Sequence, residues 1–128
     1  MKLVFLDKDN TKFSQMAAGL AQRYNKSDDL KVYSCGEKKG KRLDKNMINV
    51  MKKIGIDLKN NKINSIEDFE NVDILVTLSS KINKIIVPKK AKLSFNSSIY
   101  EDDLEKTRDI LKKDIVRLMN DIKKGKFN

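Results

Sequence analysis

The chain has 128 residues, 39% hydrophobic and 36% charged, which suits one domain (residues 1–128) with a solvated surface and a core of useful size. Lysine and arginine number 28 against 18 acids, giving a net charge of +10, with no histidine and a single cysteine, Cys35. This composition excludes an internal disulfide, disfavours a zinc site, and holds no apolar run near the roughly 20 residues that span a bilayer. The expectation is a cytoplasmic protein with no signal peptide, no membrane segment, no metal and no cofactor.

In chain order, the apolar run Leu3 to Leu6 predicts a buried strand, stopped at Asp7. After a polar loop, Ser14 to about Tyr24 has Met16, Ala17, Leu20 and Ala21 at helical spacing. A turn at Asn25 to Asp29 leads into a second strand, Leu30 to Ser34, and Gly36 to Gly40 reads as a basic loop. Asp44 is a candidate N-cap for a helix carrying Met47, Val50, Met51 and Ile54, ended by Gly55. A short helix is expected from Ser65, with Glu67 and Asp68 in its first turn. Val72 to Leu78 is a third strand, followed by Ser79, a short helix over Lys81 to Val87 halted by Pro88, and a weaker strand over Ala91 to Phe95. The last helix, about Asp102 to Lys123, aligns Leu104, Leu111, Ile115, Leu118 and Ile122 in one stripe.

Strands that alternate with helices, and are apolar without a polar face, predict an α/β domain whose parallel sheet is covered on both sides. Ligands of such sheets bind beyond the carboxyl ends of the strands. The segment Val4 to Gly19, V-F-L-D-K-D-N-T-K-F-S-Q-M-A-A-G, is therefore the candidate site. A strand, a short loop and a helix N-terminus bring unpaired N–H groups and the helix dipole onto one anion. The candidate loop residues are Asp7, Lys8, Asp9, Asn10, Thr11, Lys12, Phe13 and Ser14.

Taken alone, F-L-D-K-D-N-T resembles the first motif of the haloacid-dehalogenase phosphatases, D-x-D-x-T. That resemblance implies Asp7 as nucleophile, Asp9 as acid and base, Ser79 as a helper and magnesium as charge neutraliser. It lacks an acidic pair closing a later strand, since Asp102 and Asp103 fall at a helix start, and that family follows its first strand with a flap rather than a helix.

A second resemblance covers nearly the whole chain. Asp7 to Gly19 resembles the signature of the low-molecular-weight protein tyrosine phosphatases and the thioredoxin-coupled arsenate reductases, C-x-G-N-x-x-R-S-x-M-A-E-G. Asn10, Ser14, Met16, Ala17 and Gly19 match in register, and Gln15 is typical of the reductases. V-Y-S-C-G (Val32 to Gly36), M-K-K-I-G-I-D-L-K (Met51 to Lys59), V-D-I-L-V-T-L (Val72 to Leu78) and L-S-F-N (Leu93 to Asn96) resemble later segments of that superfamily in the right order, before a long C-terminal helix. The resemblance implies a three-layer sandwich of the phosphotyrosine phosphatase I-like type, with a four-stranded parallel sheet in the order 2-1-3-4.

It also implies what has changed. In that superfamily a thiolate attacks phosphorus or arsenic while loop N–H groups and an arginine fork hold the oxyanion. The nucleophile position here is Asp7, the arginine position Phe13 and the loop glycine position Asp9. The reductases' second cysteine aligns with Ser79 and the general acid with Asn96, while Asn10 and Ser14, which brace the loop, persist. The expectation is a catalytically inactive member, a pseudoenzyme that binds a protein partner or a phosphate-like anion through a degenerate loop. The Asp7 carboxylate is expected to sit over the loop amides where phosphate would lie; alternatively Asp7 and Asp9 are plain helix-capping acids.

Phe13 is expected to plug the old site, Cys35 to be buried and inert, Ser79 to cap the segment after it, and E-K-K-G-K-R (Glu37 to Arg42) to be a solvated loop. Because that basic cluster lies neither on a helix nor among stacking aromatics, nucleic-acid binding stands only as an alternative.

Overall fold

Four short apolar or β-branched runs form strands: β1 Lys2–Asp7, β2 Lys31–Gly36, β3 Val72–Thr77 and β4 Lys89–Ser94. The computed structural model describes residues 1–78, 89–94 and 103–127, with β4 described by its backbone. The strands pair in parallel in the order β2-β1-β3-β4, with Leu3 opposite both Val32 and Ile74, and Val76 opposite Leu93. The α/β class with a parallel sheet expected from the sequence is the observed one. β1 and β2 run one or two residues past the expected ends, Leu6 and Ser34, β3 stops at Thr77, one residue short of Leu78, and β4 begins two residues before Ala91, since main-chain pairing rather than hydrophobicity sets the ends.

Three helices follow the amphipathic stretches: α1 Phe13–Tyr24, α2 Lys45–Lys52 and α3 Leu104–Lys123. Asp44 caps α2 by accepting from Met47 N at 2.9 Å, and Asp103 caps α3 by accepting from Lys106 N at 3.0 Å. The turn expected from Ser65 is a single 3₁₀ turn, Ile66–Asp68, closed by a reciprocal capping box between Ser65 and Asp68. Among the described residues, no helix is long and apolar enough to cross a membrane.

The period-2 alternation of strand side chains divides the core in two. Leu3, Phe5, Ile74 and Val76 face α1, α2 and α3, where Met16, Leu20, Met47, Met51, Leu111 and Ile115 are buried. Val4, Leu6, Cys35 and Leu75 face the other way, onto Ile66, Val72 and the half-buried rings of Tyr33 and Phe69, whose centroids lie 5.2 Å apart. Each fully buried large aliphatic side chain contributes about 1.5–3 kcal/mol, so these two clusters hold the sheet against its chain entropy.

Among the described residues all three helices line the first face, and the second is covered by the 3₁₀ turn and its flanks. The three-layer arrangement is thus seen on one side only. The expected helix over Lys81 to Val87 and its stop at Pro88 lie outside the described residues, as do Ser79, Asn96 and Phe95.

The carboxyl edge of the sheet positions the site. Asp7 ends the interior strand β1 opposite Gly36 at the end of β2, and Leu78 N donates to Leu6 O at 2.9 Å just past β3. A loop leaving β1 here emerges between two neighbouring strand ends.

Candidate functional site

The polypeptide turns from β1 into α1 over residues 8–12, and the turn wraps around the Asp7 carboxylate. Asp7 Oδ1 accepts from Asn10 N at 2.7 Å, and Oδ2 accepts from Ser14 N at 2.8 Å. The Ser14 hydroxyl accepts from Asn10 Nδ2 at 2.7 Å and turns its own proton to the Asp7 carboxylate. Asp7 is 5% exposed, while Asn10 and Ser14 are fully buried. The N-cap residue of α1, Lys12, makes no side-chain cap, and the first turn of α1 holds no acid. Asp7 therefore does from seven residues upstream what a local cap does elsewhere, putting negative charge on the positive end of the helix dipole. At Asp7 the helix-capping and built-in-anion readings describe the same contact, whereas Asp9, expected as a second capping acid, accepts from Thr11 rather than from the helix.

Two effects oppose each other at this carboxyl. Burial pushes its pKa up; the N–H groups of Ser14 and Asn10 and the Ser14 hydroxyl pull it down; the nearby Asp9 pushes it up again. Burial wins, and the Asp7 pKa lies above the usual carboxylate range.

Asn10 holds the loop's shape. Its φ of 63° is left-handed, a region asparagine tolerates better than most residues. Its Oδ1 accepts from Asn64 N at 2.8 Å and from Gln15 Nε2 at 3.1 Å. Gln15, 1% exposed, also donates to Asn10 O at 3.1 Å and Lys62 O at 3.0 Å, and its Oε1 accepts from Asn61 Nδ2 at 3.2 Å. Asn64 in turn donates through Nδ2 to Ser34 O, and its carbonyl accepts from Gly36 N. The stretch 61–64, polar and featureless in sequence, is thereby tied to both the first loop and β2. The only sequence signals were Gln15, a polar residue among the inward positions of α1, and the density of asparagine.

The other candidate residues sit on the same loop in plainer roles. Asp9 folds back on itself, its Oδ1 accepting from Thr11 N at 3.2 Å and Thr11 Oγ1 at 2.8 Å. Lys8 is exposed, and Lys12 Nζ lies 3.8 Å from Asp44 Oδ2 and 5.3 Å from the centre of the Phe13 ring. Phe13 is half-buried and packs against the main core as the first residue of α1. Cys35 is fully buried, and desolvation, aided by the charges of Asp7 and Asp68, pushes its thiol pKa strongly up, so no reactive thiolate resides there.

The segment Glu37 to Arg42 is a solvated loop, as expected, but one with an anchored backbone. Its side chains are exposed, but its backbone is bound to the first loop: Glu37 N donates to Asp7 O, Lys38 N to Lys8 O, Gly40 N to Asp9 O, and Asp44 N to Thr11 O, at 2.9–3.0 Å. The two loops approach so closely that a Cβ on Gly36 would lie 2.6 Å from Asp9 C and 2.7 Å from Asn10 N. One on Gly40 would lie 2.3 Å from Thr11 Cγ2.

A parallel α/β domain with a helix-capped anion loop at the carboxyl edge of an interior strand is the architecture of phosphate-loop proteins. Comparison with known proteins gives the class a family. The sequence model of the low molecular weight phosphotyrosine protein phosphatases matches residues 2–95, and the chain belongs to that family. It is 40% identical over 79 residues to an arsenate reductase of Bacillus subtilis, a match covering 59% of this chain and 55% of that relative's length. Among solved structures, an arsenate reductase in a phosphate-binding state superposes with a TM-score of 0.81 at 23% identity, covering 94% of this chain and 98% of the other. A cysteine-to-serine mutant of the arginine phosphatase YwlE, with a phosphorylated active-site serine, gives 0.75 at 18% identity, covering 97% of each chain. Those structural likenesses establish the fold.

Neither fold nor family supports the haloacid-dehalogenase alternative. Both Asp7 oxygens face N–H donors, α1 begins at Phe13 with no flap, and among the described residues no three His, Cys, Asp or Glu side chains converge.

Proposed function

We propose that this chain is a non-catalytic member of its family, whose phosphate loop holds an internal carboxylate and which acts by binding a partner at the loop end. The observation that carries this reading is the Asp7 carboxylate seated on Asn10 N–H and Ser14 N–H at 2.7 and 2.8 Å. Those amides lie at the N-terminus of α1, where an oxyanion would be held, and a resident negative charge there repels a second one. The loop has no sulfur nucleophile, since its first position is Asp7 and Cys35 is buried in the sheet. It has no arginine either: Phe13 stands in that position, and Lys8 and Lys12 lack a guanidinium's bidentate grip.

The test is hydrolysis of an aryl phosphate, with and without magnesium, together with thioredoxin-coupled reduction of arsenate. The reading expects no turnover in any of them. Magnesium-dependent hydrolysis abolished by Asp7→Asn would overturn it in favour of an aspartyl nucleophile; arsenate reduction would overturn it outright.

A further inference from the structure

The segment Glu37 to Arg42 carries four cations in six residues, and the fold gives them a fixed place. Four main-chain hydrogen bonds run from residues 37–44 to residues 7–11, and the close approaches at Gly36 and Gly40 leave the two loops no room to slide. Lys38, Lys39, Lys41 and Arg42 are thus exposed on a rigid backbone beside exposed Lys8. A few cations elsewhere pair with acids, Lys12 with Asp44, Lys53 with Glu105 and Lys126 with Asp121, while others such as Lys112 and Lys113 on α3 are exposed without an ion pair among the described residues. What sets the rim apart is that its cations are clustered on a fixed backbone. Among the described residues, the five cations of this rim make no ion pair. Like charges fixed side by side repel and weaken the fold, so a rigid, unpaired basic rim suits an external anionic partner better than it suits the isolated chain.

We propose that this latched rim, Lys8 with Lys38, Lys39, Lys41 and Arg42, is a docking surface for an acidic segment of a protein partner. The proposal rests on the reading of the loop as a binding device and names the chemistry of what it binds. A nucleic acid fits less well. Among the described residues no aromatic ring is fully exposed to stack on a base, and Asp9, Glu37 and Asp44 interrupt the cations where a phosphodiester track would need them continuous. Interleaved charge matches a mixed-charge protein surface, where the central cations meet carboxylates and the outlying acids set register.

The experiment uses the full chain and two labelled probes of equal charge, an oligoglutamate peptide and a single-stranded oligodeoxynucleotide, followed by fluorescence anisotropy at low salt. The triple variant Lys38→Glu, Lys39→Glu, Lys41→Glu should weaken peptide binding by about tenfold or more. The control triple variant Lys112→Glu, Lys113→Glu, Lys123→Glu, at exposed positions of α3 with the same change in net charge, should lose far less. Gly40→Ala keeps every charge but moves the rim, and should weaken binding by several-fold.

Equal losses in the two triple variants would overturn the proposal, because binding would then follow net charge alone. Tighter binding of the oligonucleotide than of the peptide would overturn it in favour of nucleic acid. An unchanged affinity in Gly40→Ala would overturn the role of latching. These results are independent of the hydrolysis and arsenate assays, so failure of the docking proposal and failure of the non-catalytic reading can be told apart.

Discussion

The loop after β1 and the loop after β2 meet at the same edge of the sheet but are held by different means. The first is held from inside by side chains: Asp7, Asn10, Ser14 and Gln15 bond to one another and to neighbouring backbone. The second is held from outside by its main chain, through N–H groups donated to the first loop's carbonyls and two glycines that permit the approach. Side-chain scaffolding fixes a particular ligand seat, here taken by a carboxylate of the chain itself. Main-chain scaffolding leaves the side chains free, and there they are basic and exposed. On the proposed reading, one loop is already full and the other is available to a partner.

The sharpest way to break this contrast is at their contact. Gly36→Ala would press a Cβ onto backbone atoms of Asp9, Asn10 and Lys38, none of which can swing aside, and should cost more than about 3 kcal/mol of unfolding free energy by urea denaturation. Asn10→Ala should come next, at about 2–3 kcal/mol, because it strands Asn64 N, removes the donor to the Ser14 hydroxyl and forces alanine into a left-handed backbone. Asn10→Gly keeps the backbone and loses only the side-chain bonds, so its smaller cost divides the effect between the two causes.

A smaller effect follows from titration of Asp7. Its folded pKa is raised, so between the ordinary carboxylate value and that raised value the folded state binds more protons than the unfolded one. Stability contributed by Asp7 is therefore fully present below the unfolded pKa and is lost as pH rises through the folded one. Relative to Asp7→Asn, the native chain should gain stability as pH falls through that window, by at most about 1.4 kcal/mol per pH unit. A loss over the same window would mean that the hydrogen bonds to Asp7 outweigh its burial. The smallest effect is expected at Cys35: a thiol reagent should label it only at the rate of unfolding, since its side chain is fully buried and its thiolate disfavoured.

Most of the fold could be read from periodicity. Leu3 to Leu6 and Val72 to Leu78 are apolar without alternation because β1 and β3 are interior strands, and the α3 stripe of Leu104, Leu111, Ile115 and Leu118 is buried as its spacing implied. The candidate site was legible as far as side-chain chemistry reaches. That the Asp7 carboxylate would lie over the loop amides followed from its place in the family signature; which amides it meets, Asn10 N and Ser14 N, did not. The latch of the second loop was invisible because backbone N–H groups are the same in every residue; only Gly36 and Gly40 hinted at it, and glycine in a loop has many causes. The role of Asn64 was hidden likewise, since the group that meets Asn10 Oδ1 is its amide N–H.

The central claim is that the loop's anion seat is already taken by Asp7. It is tested most directly by titrating the isotope-labelled chain with inorganic phosphate and following the amide resonances of Asn10 and Ser14 by NMR at neutral pH. The account predicts no saturable shift at either amide. A saturable shift at both, reporting phosphate held by those N–H groups, would contradict it.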